Sequence, residues 1–241
     1  MSWINLKEIQ DLDGARRSLQ NKQLTYAQCL QDVFALVIND YKFSGTCLDI
    51  GAGGPNYFFN NSLLLQLYNW KVVSADIGDW SSAWASYPNN TYHQADCTNH
   101  SNIKYILSQM PTTIDFLSFD IDDATVDALE LIDLDKYKFK CIAIEHNKYL
   151  GARGFQRFRQ REILSNAGYR LLVKNWNNFE DWWIHPDLVD YERFKYFEDF
   201  SEVVFNSSFQ GEEKFAPEHF EKVERDRSKF NKETLELIRK L

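Results

Sequence analysis

The sequence lacks the features that mark most specialised protein classes. It holds no apolar run near the roughly 20 residues of a membrane-spanning helix, and Met1-Ser2-Trp3-Ile4-Asn5 is not a basic stretch leading into an apolar one, so no secretory signal is expected. Positive charge is scarce. Against 35 Asp and Glu stand 27 Lys and Arg, a net charge of -8, which works against broad attraction to nucleic acid or anionic membrane but leaves room for a local basic groove. Cysteine is limited to Cys29, Cys47, Cys97 and Cys141, with no CxxC pair. Three of them fall in or beside predicted strands, which suits small buried hydrophobes in a reducing, cytoplasmic compartment. Without a signal, Asn-x-Ser/Thr triplets such as Asn60-Asn61-Ser62 read as chance. There is no internal repeat, no low-complexity tract and no Gly-x4-Gly-Lys-Ser/Thr phosphate loop.

What is present is a globular composition: 241 residues, 44% hydrophobic and 15% aromatic, enough for one sizeable core with extensions. From residue 45 short apolar runs recur: Thr46 to Ile50, Lys71 to Asp76, Thr91 to Asp96, Ile114 to Asp120 and Cys141 to Glu145. The acids at their ends repeat every 20 to 27 residues, the length of a strand, a crossover helix and two loops. Near-continuous apolar strands alternating with helices predict a mostly parallel sheet covered on both faces. Helices are expected over Leu24 to Val37, around Ala124 to Ile132, and from Phe158 to Ala167 with Gly168 as terminator. Tyr169 to Lys174 and Asp181 to His185 read as two more strands across a short polar loop, an antiparallel pair at the sheet's end. The division expected is a helical extension over 1–44, a core over 45–190, and a charged, mostly helical appendage over 191–241. Residues 211–241 carry 8 acidic and 8 basic side chains.

Asp49, Asp76, Asp96, Asp120 and Glu145 each fall at or next to a predicted strand end. Open parallel sheets bind ligands outside the carboxyl ends of their strands, so these acids are expected on one rim. Asp also ends strands simply by starting turns. A carboxylate rim repels a triphosphate. It suits S-adenosylmethionine, whose sulfonium and ammonium attract carboxylates and whose ribose diol and adenine amine donate hydrogen bonds to them. Asp49-Ile50-Gly51-Ala52-Gly53-Gly54-Pro55 fits that ligand, because its glycines permit close backbone approach. A dinucleotide fingerprint would need Gly where Asn56 stands, which disfavours a dehydrogenase.

The residues Tyr26 to Phe34, Leu48-Asp49-Ile50-Gly51-Ala52-Gly53, Asn69-Trp70-Lys71, Ile114 to Asp122 and Ile144-Glu145-His146-Asn147 together resemble the FkbM family of methyltransferases, over roughly residues 24–190. The resemblance implies an α/β, three-layer Rossmann-like class I methyltransferase fold, seven-stranded and mostly parallel with an antiparallel strand near one edge. It also implies S-adenosylmethionine as donor and, commonly, O-methylation of a sugar or natural-product hydroxyl. By position it places Gly51, Ala52 and Gly53 along the methionine part of the cofactor with Asp49 beside them. It places Asp76 and its neighbour Ile77 at the ribose, Asp96 and Cys97 near the adenine, and Asp120 below the sulfonium. The family usually shows Asp-x-Glu-Gly after the fourth strand; here it is Asp120-Ile121-Asp122-Asp123, which changes reach and backbone freedom on the acceptor side.

An alcohol acceptor needs a base late in the displacement. The candidates are Asp122 and His146, with Glu145 as base or orienting partner; His146 reads equally as a loop histidine bonded to backbone. Asp120, Asp122, Glu145 and His146 together are also a candidate set for a hard divalent ion. Lys148, Arg153, Arg157, Arg159 and Arg161 are either an anion-binding stretch or a solvated helix face. Trp80 and Trp84 are open between adenine stacking and core packing. Alternatives to a small hydroxyl acceptor, glycan or nucleotide, are a terminal RNA ribose or no turnover at all.

Overall fold

A computed structural model of the chain describes residues 26–55, 59–148 and 155–202. The elements in chain order are α1 (Gln31–Ile38), β1 (Thr46–Ile50), α2 (Leu63–Leu67), β2 (Lys71–Asp76), α3 (Ser81–Trp84), β3 (Asn90–Gln94), α4 (His100–Ser108) and β4 (Thr113–Phe119). A 3-10 turn (Asp122–Ala124) leads into α5 (Thr125–Leu129), then β5 (Lys138–Glu145), α6 (Gln156–Asn166), β6 (Arg170–Trp176), β7 (Glu180–Ile184), α7 (Tyr191–Phe194) and a closing 3-10 helix (Lys195–Phe200).

The seven strands form one sheet in the order β3-β2-β1-β4-β5-β7-β6. Neighbours from β3 to β5 are parallel, while β7 runs antiparallel to both β5 and β6. The chain starts in the middle and winds outward both ways, so the direction of winding reverses between the paired strands β1 and β4, the point at whose carboxyl end such sheets bind ligands. The β6–β7 turn is made possible by Asn177 and Asn178, with φ of 50° and 65°, values asparagine tolerates better than most residues.

Strand alternation splits the core in two. On one face Cys47, Val72, Phe116, Ala143 and Trp182 pack under Phe34 and Ala35 of α1, Leu64 and Leu65 of α2, and the aromatic run Tyr191, Phe194, Phe197 and Phe200. On the other, Leu48, Val73, Leu117, Ile142 and Trp183 pack under Ile103 and Ile106 of α4, Ala128 and Leu129 of α5, and Leu164 of α6. All four cysteines are free and buried. Among the described residues, no helix is long and apolar enough to cross a membrane.

Several boundaries differ from those expected. The first helix starts at Gln31, because the Asp32 carboxylate accepts the backbone N–H groups of Tyr26 and Ala27 (2.8 and 3.2 Å) and bends the chain before it. Residues 191–200, expected in the appendage, bury four aromatic rings against the first face. Residues 203–241, with the rest of that appendage, lie outside the described residues, as do Leu24 and Arg153.

Candidate functional site

At the carboxyl edge of the parallel strands, register decides which side chains meet. Ile50 of β1 pairs with Ala75 of β2 and Phe119 of β4, Phe119 pairs with Ile144 of β5, and Glu145 pairs with Glu180 of β7. The ladder runs one residue further: Gly51 N–H donates to the Ala75 carbonyl (2.8 Å) and Asp120 N–H to that of Ile50 (2.9 Å). Asp76, Gly51, Asp120, Glu145 and Glu180 therefore form one transverse row. Because successive side chains alternate faces, all four carboxyls lie on the α1–α2 face. Asp49 sits one step below on the same face, level with Ser74 and Ser118.

Gly51 is the gap in that row. Its φ is +84°, and a β-carbon there would lie 2.5 Å from the Asp120 carbonyl carbon, so only glycine lets the β1 loop cross so close to β4. Gly53 also has positive φ, +53°, but a β-carbon there would meet no described atom within 4 Å. Its N–H donates to Asp76 Oδ2 (2.9 Å), and its carbonyl accepts Trp84 Nε1 (2.8 Å). Trp84 thus pins the glycine loop, and Trp80 closes over Gly54 and Gly78. Ala52 is buried, its carbonyl held by Asn60 Nδ2 at 3.0 Å.

Asp76 Oδ1 accepts the Gly78 N–H at 2.7 Å. Two backbone donors fix its carboxylate and leave further lone pairs on each oxygen. Ile77, beside it, is 74% exposed, an apolar side chain standing at a polar rim. Asp96 falls two residues beyond β3 and outside the row. Its Oδ1 accepts Thr98 Oγ1 (2.6 Å) and N–H (2.9 Å), which holds the carboxyl below its usual range. Cys97 is buried, and burial, with Asp96 and Asp76 adding to it, pushes its thiol up to about 12. Burial also lifts Asp49 to about 6, against the pull of Ser62 and Ser118; its Oδ2 has no hydrogen-bond partner.

Asp120 and Glu145 are hydrogen-bonded to one another at the ends of β4 and β5. Burial raises both proton affinities, and the Asp120 charge takes Glu145 well above the usual carboxylate range. The Glu145 Oε2 atom is buried without a partner. Asp122 opens the 3-10 turn beside this pair, exposed, at φ 52°, a left-handed conformation that Asp tolerates better than most residues. Its charge bears on both members.

His146 follows Glu145 and so turns to the opposite face. Its ring is fully buried, with Nε2 3.3 Å from Asp181 Oδ1 and Nδ1 accepting the Lys148 N–H at 3.2 Å. Asp181 accepts Arg161 Nε (2.7 Å) and Nη2 (2.9 Å) and the Asn175 N–H (2.8 Å). Burial pushes Asp181 up, but His146 and Arg161 outweigh it and hold the carboxyl low. Strand alternation separates His146 from Asp120 and Glu145. Among the described residues, no three His, Cys, Asp or Glu are placed to hold a metal ion.

The arginine run is largely occupied. Arg159 pairs with Glu130 (2.7 Å) and Glu162 (2.8 Å), Arg161 with Asp181, and the Arg157 guanidinium lies 4.3 Å from the Phe158 ring centre. The residue that sequence reasoning missed is Glu180. It is 3% exposed, with Oε1 accepting Trp182 Nε1 (2.6 Å) and Oε2 accepting Gln31 Nε2 (2.8 Å). Only the β5–β7 register, invisible in one sequence, sets it opposite Glu145.

These residues fit S-adenosylmethionine on structural grounds. A glycine loop meets no described atom within 4 Å of the β-carbon position of Gly53, a fixed carboxylate stands at the β2 end, and a buried carboxylate oxygen of Asp49 has no hydrogen-bond partner among the described residues. The folded chain is similar to several solved structures, all at low identity. MycE methyltransferase from the mycinamycin biosynthetic pathway, in complex with Mg, SAH and mycinamycin VI, has 13% identity and a TM-score of 0.47, over 73% of this chain and 55% of that one. A protein of the NADB-Rossmann superfamily from Streptococcus agalactiae has 13% identity and a TM-score of 0.43, over 67% and 70%. The ribosomal protein L11 methylase from Lactobacillus delbrueckii subsp. bulgaricus has 13% identity and a TM-score of 0.40, over 64% and 74%. The chain spans about half or less of the length of the MycE structures it matches. No curated protein matches it. The family model for the methyltransferase FkbM domain matches residues 21–171, a stretch that holds the glycine loop, Asp76 and the Asp120–Glu145 pair. The chain belongs to that FkbM family of S-adenosylmethionine-dependent methyltransferases.

Proposed function

We propose that the protein O-methylates a hydroxyl group of a small, uncharged or weakly cationic acceptor such as a sugar. The supporting observation is the row of carboxyls on one sheet face, interrupted only by Gly51. In this reading Asp76 accepts the ribose diol, Ile77 lies against the adenine, Asp96 and Cys97 border it, and Gly51 to Gly53 and Asp49 enclose the methionine end. Asp120 stands by the sulfonium. When bound, the cofactor supplies the electrophilic methyl group; the chain aligns it and excludes water, the terms that count most in a displacement of this kind.

The acceptor hydroxyl enters beside Asp122 and the Asp120–Glu145 pair. Asp122 is the exposed carboxylate there and takes the role of base directly or through its neighbours. An acidic rim repels phosphorylated acceptors. Arg159 and Arg161 already have acidic partners, which leaves a nucleic-acid acceptor with little local support. His146 has its ring buried against Asp181, so we assign it to holding the chain after β5.

The test is calorimetry with S-adenosylhomocysteine on the wild type and Asp76→Ala, followed by methyl transfer to a panel of neutral, amino and phosphorylated sugars. Loss of a charge-assisted bond pair predicts at least about tenfold weaker binding in the variant. Equal affinities would remove Asp76 from the site. Transfer only to phosphorylated acceptors would overturn the assignment of acceptor class, and cofactor binding with no transfer to any acceptor would favour a non-catalytic role.

A further inference from the structure

Glu180 stands opposite Glu145 in the β5–β7 ladder, and Glu145 is bonded to Asp120. Three carboxyls thus follow one another along the edge of the sheet. Asp122 and Asp76 face Asp120. Asp122, Asp120 and Glu180 face Glu145. Cys29 of the segment before α1, Asp120 and Asp181 bear on Glu180, with Gln31 and Trp182 donating to it. Every charge in this set is acidic; the Arg161 cation is spent on Asp181, on the other face. Carboxyls this close and this buried cannot all ionise. The bare oxygen Glu145 Oε2, and Asp49 Oδ2 one layer below, mark where positive charge is missing.

We propose that Asp120, Glu145 and Glu180 act as a carboxyl triad that holds a proton in the free protein, releases it to water when the donor's sulfonium arrives, and takes up the acceptor hydroxyl's proton as the methyl group leaves. The inference rests on the donor placement proposed above. The step balances. The acceptor oxygen bonds the methyl carbon, the carbon–sulfur electron pair stays on sulfur as a neutral thioether, and the hydroxyl proton goes to the carboxylate vacated on sulfonium binding. Loss of the sulfonium charge restores the triad's hold on that proton, and the next donor molecule expels it. Glu180 acts through Glu145 and is a positioning residue: its carboxyl, next in the row, sets how tightly the pair keeps its proton.

The two cofactor forms separate this effect from simple binding, since S-adenosylmethionine carries the sulfonium and S-adenosylhomocysteine does not. Titration calorimetry of the full chain in buffers of different ionisation enthalpy, between pH 6 and 8, reads protons released per ligand bound. The expected result is about half a proton or more released in excess with S-adenosylmethionine over S-adenosylhomocysteine, with the excess at least halved in Glu180→Gln. Glu145→Gln is the second variant, and it should abolish the excess even if Glu180→Gln does not fold. Equal proton release for the two ligands in the wild type, or an undiminished excess in a folded variant, would overturn the proposal. Failure of the donor placement itself would look different: Asp76→Ala would bind both ligands as tightly as the wild type.

Discussion

Gly51 and Gly53 lie two residues apart with positive φ, yet the structure gives them different work, and alanine at each should separate the two. At Gly51 the β-carbon meets the Asp120 backbone, with 2.5 Å to the carbonyl carbon and 3.0 Å to Ile121 Cγ2. The left-handed conformation costs a non-glycine residue about 1–2 kcal/mol, and forcing apart a packed backbone crossing adds about 1–3 kcal/mol. Gly51→Ala should therefore lose about 2–5 kcal/mol of stability, since neither β1 nor β4 can retreat without breaking the ladder that joins them. At Gly53 only the backbone strain applies among the described residues, about 1–2 kcal/mol, because the added methyl group meets no described atom within 4 Å. That space is where the donor is proposed to lie, so Gly53→Ala should fold and bind S-adenosylhomocysteine at least about tenfold more weakly, on the order of 1.4 kcal/mol. Urea denaturation measures the first quantity and calorimetry the second. Equal stability losses in the two variants, or full-strength binding by Gly53→Ala, would refute this division of labour.

Two predictions concern the ion pairs that hold the sheet. At its opposite edge, burial pushes the Asp115 carboxyl up, but Lys42 (2.5 Å) and Lys140 (2.9 Å) with the Thr46 N–H (2.9 Å) win and hold it below the usual range. A depressed folded-state value gives stability that is present above the unfolded value near 4 and lost as pH falls through the folded one; Asp115→Asn should flatten the wild-type fall in urea midpoint below about pH 4, and an unchanged pH profile would exclude Asp115 as its source. Arg161→Ala would leave Asp181 buried with only His146 and the Asn175 N–H beside it among the partners described, so about 3 kcal/mol of stability should go, and measurement by urea denaturation should show part of it restored in Arg161→Ala/Asp181→Asn; equal stability of the single and double variants would contradict a buried charge as the cause.

The sequence alone determined the alternation of strand and helix, the seven-strand count, the antiparallel pair at the end, and the acids at the ends of β1, β2, β4 and β5. Those follow from local periodicity, from the spacing a crossover needs and from the family resemblance. It did not reveal which acids meet. Asp96, so similar in sequence to Asp76, turns back on Thr98, because β3 ends two residues short of it. His146, adjacent to Glu145, was separated from it by the alternation of a strand that ends at Glu145. Glu180 joined the row through a pairing with a residue 35 positions earlier in the chain, and Gln31 reached it from 149 residues away. Trp84, open in the sequence between adenine stacking and core packing, is buried and donates to the Gly53 carbonyl, a contact across 31 positions that no local pattern announces. Local sequence governs what each residue prefers to be; register between strands, fixed only when the whole sheet closes on its two cores, governs what each residue stands beside.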